Sequence, residues 1–198
     1  MAKETKAKAG AKDVLKWRKK KWVQIVAPAL LRNTVLGESL VMTGEQLVGK
    51  TIESNLMVLT GDMKKQHINV KFVIDSIKDG KAQTKLVSYK ISPATIKRNV
   101  RRKRDRIDCV FACKTTDDIE LDVKVLLITK NNTVNSVLTV LRKKTIDIVT
   151  KYITTTPFDN IVIDTIDFKI QNELKRQLKS IYPLRTCEIK FLGVKKKK

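Results

Sequence analysis

The sequence predicts an α+β fold: a mainly antiparallel, barrel-like sheet packed by C-terminal helices, with basic tails at both ends. Three observations lead there. Two stretches alternate apolar and polar residues and fold back at turn residues; apolar stripes at helical spacing dominate the last third; Lys and Arg crowd the ends. The chain has 198 residues, 42% of them hydrophobic, which is enough to build one core but not two large domains.

The elements follow in chain order. Residues 1–20, opening with a Lys- and Ala-rich stretch, cannot pack a core and are expected to form a flexible basic arm. Residues 22–28 are rich in strand formers and stop at Pro28, with Trp22 expected to anchor the strand in the core. In residues 66–74, Ile68, Val70, Phe72 and Ile74 share one face, and Asp79-Gly80 turns the chain into a second strand over 82–91. Ser92 as N-cap and Pro93 at the first position begin a helix over 94–103, on which Arg98, Arg101 and Arg102 would share a face.

A second hairpin places Ile107, Cys109, Phe111 and Cys113 opposite Ile119, Leu121, Val123, Val125 and Leu127, around a Thr115-Thr116-Asp117-Asp118 turn. From Val134 through Leu141 and Val149 to Tyr152, apolar residues recur at helical spacing, predicting a helix over 133–154 with Thr133 near its cap. Ile161-Val162-Ile163 has strand propensity in a window too short to assign. Ile170, Leu174, Leu178 and Ile181 space as a helix ended by Pro183, and Cys187, Ile189 and Phe191 alternate as a last strand. Residues 21–194 are thus expected to form a single domain, followed by the basic tail 195–198. No internal repeat is visible.

Charge carries the first functional information. Lys plus Arg number 42 against 20 Asp plus Glu, a net +22. Segments 1–22, 97–106, 142–144 and 185–198 hold +21 of it, so the body is nearly neutral. A balanced core with cationic ends and inserts can fold alone yet dock on phosphates at several points, and it argues against a free-standing metabolic enzyme. The residues expected to touch RNA are Lys16, Trp17, Arg18, Lys19, Lys20 and Lys21; Arg98, Arg101, Arg102, Lys103, Arg104 and Arg106; Arg142, Lys143 and Lys144; Arg185; and Lys195, Lys196, Lys197 and Lys198. Guanidinium groups grip phosphate oxygens in pairs and stack on bases, and Trp17 among lysines suits single-stranded or folded RNA. DNA is disfavoured because no recognition-helix pair or zinc finger is evident, and a lipid surface because the basic helix has a short apolar face.

Other chemistries find less support. Gly44-Glu45-Gln46-Leu47-Val48-Gly49-Lys50-Thr51 fits the phosphate-loop pattern, with Lys50 reaching terminal phosphates, Thr51 holding magnesium, and Asp75 or Asp164 as a metal partner. That chemistry needs a helix to start at the loop's end, whereas residues 51–59 read equally well as strand and hairpins follow. A nucleotide-binding protein is therefore the alternative reading, alongside a free RNA-binding regulator. Cys109 and Cys113 on one strand face would stand about 13 Å apart, too far to share a zinc ion. With one histidine, His67, and no nucleophile partner, no catalytic constellation emerges, and neither a cofactor nor a small-molecule substrate is expected. Three cysteines and no long apolar run suit a soluble, non-secreted protein in a reducing compartment.

Several blocks in order resemble a known family, the small-subunit ribosomal protein S-one-e, named S-three-a in older eukaryotic usage. They are Lys21-Trp22 with Ala27-Pro28-Ala29; Arg32-Asn33 with Leu36-Gly37 and Leu40-Val41; Leu47-Val48-Gly49-Lys50 with Glu53; the Arg-rich stretch at 101–106; Lys114-Thr115-Thr116-Asp117; and Ser180-Ile181-Tyr182-Pro183-Leu184-Arg185. The likeness covers roughly residues 20 to 194 and is to a compact eukaryotic-type member, shorter between Val41 and Leu47 and without the long C-terminal tail. The resemblance implies a β-barrel-like sheet with flanking helices, helix at 158–165, and no phosphate loop at 44–51. It further implies a structural, non-enzymatic protein of the small-subunit platform, near the mRNA exit and the 3′ end of small-subunit rRNA, with neighbouring platform ribosomal proteins as partners. Contacts to mRNA and initiation factors, residence on cytoplasmic ribosomes and, in a eukaryote, nucleolar assembly are the wider expectations.

Overall fold

A computed structural model describes residues 20–195. Eight strands form one open sheet: β1 (Lys21–Val26), β2 (Val35–Val41), β3 (Thr51–Asn55), β4 (Ile68–Lys78), β5 (Lys81–Ile91), β6 (Arg106–Lys114), β7 (Glu120–Thr129) and β8 (Leu184–Val194). Five α-helices accompany them: α1 (Leu56–Thr60), α2 (Pro93–Asn99), α3 (Asn135–Thr155), α4 (Phe158–Ile166) and α5 (Lys169–Leu178). The α+β class, the antiparallel bias and the C-terminal helices are as the alternation and the late helical stripes predict.

Strand β5 organises the sheet. One edge pairs with β4 along its length, and the other is shared, Lys81–Gln83 running parallel to β1 and Ser88–Lys90 antiparallel to β8. The β4–β5 turn at Asp79 and Gly80 has φ of 51° and 72°, the two positive values of a tight hairpin, which only residues tolerant of left-handed backbone adopt cheaply. The β6–β7 hairpin closes in the register its alternation demands, Cys113 opposite Leu121 and Cys109 opposite Val125. Register shifts in β4–β5 and β7–β8 each insert a residue, and such bulges increase twist and curl a sheet about its core.

The main core lies between one face of β6–β8 and the helices. Cys109, Val123, Val125, Leu127 and Ile189 meet a stripe on α3, Leu141, Thr145, Val149 and Ile153, together with Ile161, Ile170 and Leu174 from α4 and α5. At 21 residues α3 spans roughly 31 Å and the nine residues of β6 roughly 30 Å, so helix and strand cover one another end to end. A smaller cluster of Val23, Ile25, Val41, Leu47, Ile74 and Ala82 sits at the β1–β2 end. No described helix is long and apolar enough to cross a membrane.

Four local expectations are corrected, and one strand is added. Trp22 is not a core anchor: it is 67% exposed, because Val23 and Ile25 take the inward positions and the period of two sends Trp22 outward beside Leu40. Helix α2 stops at Asn99 instead of reaching 103, so Arg101 and Arg102 share no helix face with Arg98; a longer helix would stack like charges three and four residues apart. Helix α3 starts at Asn135 and not at 133: Val134 is its cap and Thr133, next to that cap, is held by Asp105. Residues 51–59 divide into β3 and α1, where the Asn55 side chain accepts the Met57 N–H at 2.9 Å. The added strand is β2, a largely unburied edge whose pattern shows no clear alternation of apolar and polar residues.

The segment 158–166 is helical, as the family resemblance implies and local propensity does not. Pro157 precedes it, the Phe158 N–H donates to Asp117 at 2.8 Å, and Ile161, Val162, Thr165 and Ile166 are buried together. A polar tie joins the three last helices: the Tyr152 hydroxyl of α3 donates to Asp164 of α4, which also receives Lys169 of α5 at 3.0 Å. The hydroxyl and then the ammonium hold the Asp164 carboxyl below its ordinary pKa, while burial and that carboxylate push Tyr152 up to about 12. Tyr152→Phe is expected to cost about 1 kcal/mol of unfolding free energy at neutral pH. Because the folded Asp164 pKa is lowered, its contribution is present above the ordinary carboxylate range and lost as pH falls through the lowered value, so urea melts of wild type and Y152F should converge in acid.

Candidate nucleic-acid interface

The loop from α2 to β6 is the most cationic described stretch, and a single acid fixes it. Asp105 accepts the Thr133 N–H at 2.6 Å and the Thr133 hydroxyl at 3.2 Å through its carboxylate, while its own N–H donates to the Thr129 hydroxyl at 2.9 Å. The loop is thereby pinned to the end of β7 and the approach to α3. From that anchor Arg101, Arg102 and Lys103 project as exposed residues, with Lys103 at φ 62°. Arg104 is half-buried, and its Nη1 is sealed from solvent with no hydrogen-bond partner among the described residues. Arg106 is exposed but bound through Nε to Asp108 at 2.7 Å.

Tertiary pairing brings a second basic segment to this point. The Thr129 that holds Asp105 pairs with Leu184 at the start of β8, so exposed Arg185, at the bulge next to it, lies near the anchored loop. Arg142, Lys143 and Lys144 lie on the exposed side of α3, which starts at the loop's anchor and runs along β6; the charge of Arg142 bears on the buried Cys109 thiol. Arg98 lies in the last turn of α2, just before the loop. Segments distant in the chain thus gather around one end and edge of the sheet.

The other predicted residues stand apart. Lys20 precedes β1 and Lys21 opens it with the exposed Trp22, at the far side of the shared strand β5. Lys195, at the opposite end of β8 from Arg185, is already paired with Glu120 at 3.4 Å. Lys16, Trp17, Arg18 and Lys19, and Lys196, Lys197 and Lys198, lie outside the described residues. Two single lysines that no charge run marked, Lys90 and Lys124, reach the outer sheet face beside Lys190 of the C-terminal basic segment; the only sequence signal of the first two was alternation with buried neighbours.

The phosphate-loop pattern at 44–51 has a different use. Residues Gly44–Leu47 form a 3-10 turn, Gly49 takes φ 82°, and Thr51 starts an antiparallel strand where the nucleotide chemistry needs a helix. The amides that would cradle phosphate are spent: Gln46, Val48 and Lys50 donate within the turn and Gly49 donates to Ile74 of β4 at 2.9 Å. Gly44 packs so closely on Ile77 that a Cβ would lie 2.5 Å from its Cδ1. Cys109 and Cys113 are core residues, as their alternation indicates, with burial pushing both thiols up to about 11. Packing accounts for Gly44 and the cysteines, and the left-handed backbone of the turn accounts for Gly49.

Residues 7–197 match the model of the Ribosomal S3Ae family. The chain belongs to that family. Small ribosomal subunit protein eS1 of Desulfurococcus amylolyticus is 30% identical over 185 residues, 93% of this chain and 86% of the relative. The protein of the same name from Sulfurisphaera tokodaii is 32% identical over 183 residues, 92% of this chain and 94% of the relative. That of Methanobrevibacter smithii is 29% identical over 184 residues, covering 93% and 95%. Membership of the S3Ae family agrees with the resemblance carried by the sequence blocks, and with the 44–51 segment serving as a turn into a strand.

Proposed function

We propose that this chain is a structural constituent of the small ribosomal subunit, binding small-subunit rRNA on the platform near the mRNA exit and the rRNA 3′ end. The observation that carries the reading is the convergence of Arg98, Arg101–Lys103, Arg185 and the α3 cations around a nearly neutral, independently packed core, in a chain of the S3Ae family. The core positions cations and rRNA supplies the countercharge, so neighbours fold against each other with no bond made or broken. Neighbouring platform ribosomal proteins are the protein partners, with mRNA and initiation factors within reach of that site. Cytoplasmic ribosomes are the working location, with assembly in the nucleolus if the source is eukaryotic.

Sedimentation is the decisive test. The full chain should travel with small subunits through a sucrose gradient at moderate salt, and crosslinks should map to the 3′ region of small-subunit rRNA. Persistent migration at the top of the gradient while binding free RNA would instead make it a regulator acting off the ribosome.

A further inference from the structure

The outer face of the sheet carries a groove of about 400 Å³ between α2 and strands β5 to β8. Five cations line it, Lys90, Lys97, Arg106, Lys124 and Lys190, and no acid does. Asp108, just outside, receives Arg106 at 2.7 Å and Lys190 at 3.9 Å and so fixes two of the five. Lys90, Lys97 and Lys124 make no ion pair among the described residues. Like charges repel, and the three unpaired ammonium groups favour a polyanion that supplies the countercharge.

At the middle of the groove is Phe191, half-buried yet a member of neither hydrophobic core cluster. It pairs with Lys90 on one side and Lys124 on the other, so one cross-strand row reads lysine, ring, lysine, with the two lysines roughly 10 Å apart. The ring lies across Gly193, where a Cβ would come within 2.6 Å of its Cζ, so the absent side chain lets the ring lie down on the sheet. The Lys124 ammonium stands 5.4 Å from the ring centroid, a loose cation–π contact on a flexible stem.

We infer that this groove takes one unpaired nucleotide of RNA, the base stacking on Phe191 and the flanking phosphates held by Lys90, Lys97, Lys124 and Lys190. A phosphate draws the Lys124 ammonium off the ring and opens its face to the base. The inference rests on the rRNA-binding reading and deepens it: sequence-distant lysines on the sheet receive a single strand, while the arginine loop beside Arg106 grips backbone.

The test uses the full chain with two fluorescein-labelled probes, a ten-nucleotide oligouridine and an RNA hairpin duplex of equal phosphate number, read by anisotropy across a salt series. Phe191→Leu keeps an apolar side chain over Gly193 and should weaken oligouridine binding about 5- to 100-fold, leaving the duplex within about twofold. Lys97→Gln with Lys124→Gln, surface changes that keep the fold even if the first variant misfolds, should make the oligouridine salt slope shallower by about 1.4. Wild-type affinity and slope in both variants, or equal losses on both probes, overturn the groove. A wild-type chain that binds the duplex, with variants that match it on both probes, removes this inference alone; a wild-type chain that binds neither probe removes the rRNA reading as well.

Discussion

Replacing Arg101 and Arg102 together by Glu is expected to weaken association with small-subunit rRNA by roughly tenfold or more and to make its salt dependence shallower by about 1.4 to 1.8 in log–log slope. The two side chains are exposed on an anchored loop and make no ion pair among the described residues, so their charge is available to phosphate. For the same reason thermal stability should stay within about 0.5 kcal/mol of wild type, as for surface substitutions generally. Arg104 is a poor third choice for such a test. Its half-buried guanidinium would make a charge reversal there a folding defect, confusing loss of binding with loss of structure. Filter binding of the double variant to rRNA, beside a thermal melt, checks both halves; unchanged affinity and slope would remove the loop from the interface.

The second large effect concerns the acid that sits among those bases. Asp105→Ala removes the carboxylate that receives the Thr133 N–H and hydroxyl, and charge-assisted bonds of this kind make the expected cost about 2 to 3 kcal/mol. That is a large share of a typical domain's stability of about 5–15 kcal/mol. Asp105→Asn keeps an acceptor without the charge and should lose about half as much. The consequence for RNA is the sharper test. Removing an acid makes the loop more positive, so electrostatics alone predicts tighter binding, whereas loss of the anchor predicts weaker binding, because the arginines must then be ordered on the RNA at a cost in conformational entropy. We expect weaker binding, and a gain in rRNA affinity for folded D105A would show that the loop needs no anchor.

The proposed binding and the stability thus rest on different residues of one segment. Arg101, Arg102 and Lys103 point outward and contribute nothing evident to packing, while Asp105 makes the contacts that hold them in place. The same division recurs on the outer face of the sheet, where Asp108 steadies Arg106 and Lys190 beside unpaired lysines. In both places one carboxylate organises cations without neutralising the surface.

The two long hairpins, α3 and α5 were legible because each carries its own periodicity: alternation in 68–74 and 107–127, and helical stripes at Leu141–Ile153 and Ile170–Leu178. The basic segments were legible for a similar reason, since charge clustered along the chain needs no fold to be counted. Helix α2 was half legible: its start at Pro93 follows from local chemistry, but its end at Asn99 falls short of the residue at which the chain next pairs, Asp105 on Thr129.

By itself the sequence determined the α+β class, the neutral core with cationic segments and, through ordered motif blocks, the family; each rests on residues close together in the chain. Tertiary structure alone decided that Trp22 faces outward, that Arg185 meets the loop of Arg101 and Arg102, and that Lys90, Lys97, Lys124 and Lys190 surround Phe191. Those placements depend on register across strands far apart in sequence. A shift by one residue would turn the strand side chains Trp22, Lys90, Lys124 and Phe191 to the opposite face, and no local propensity encodes that choice.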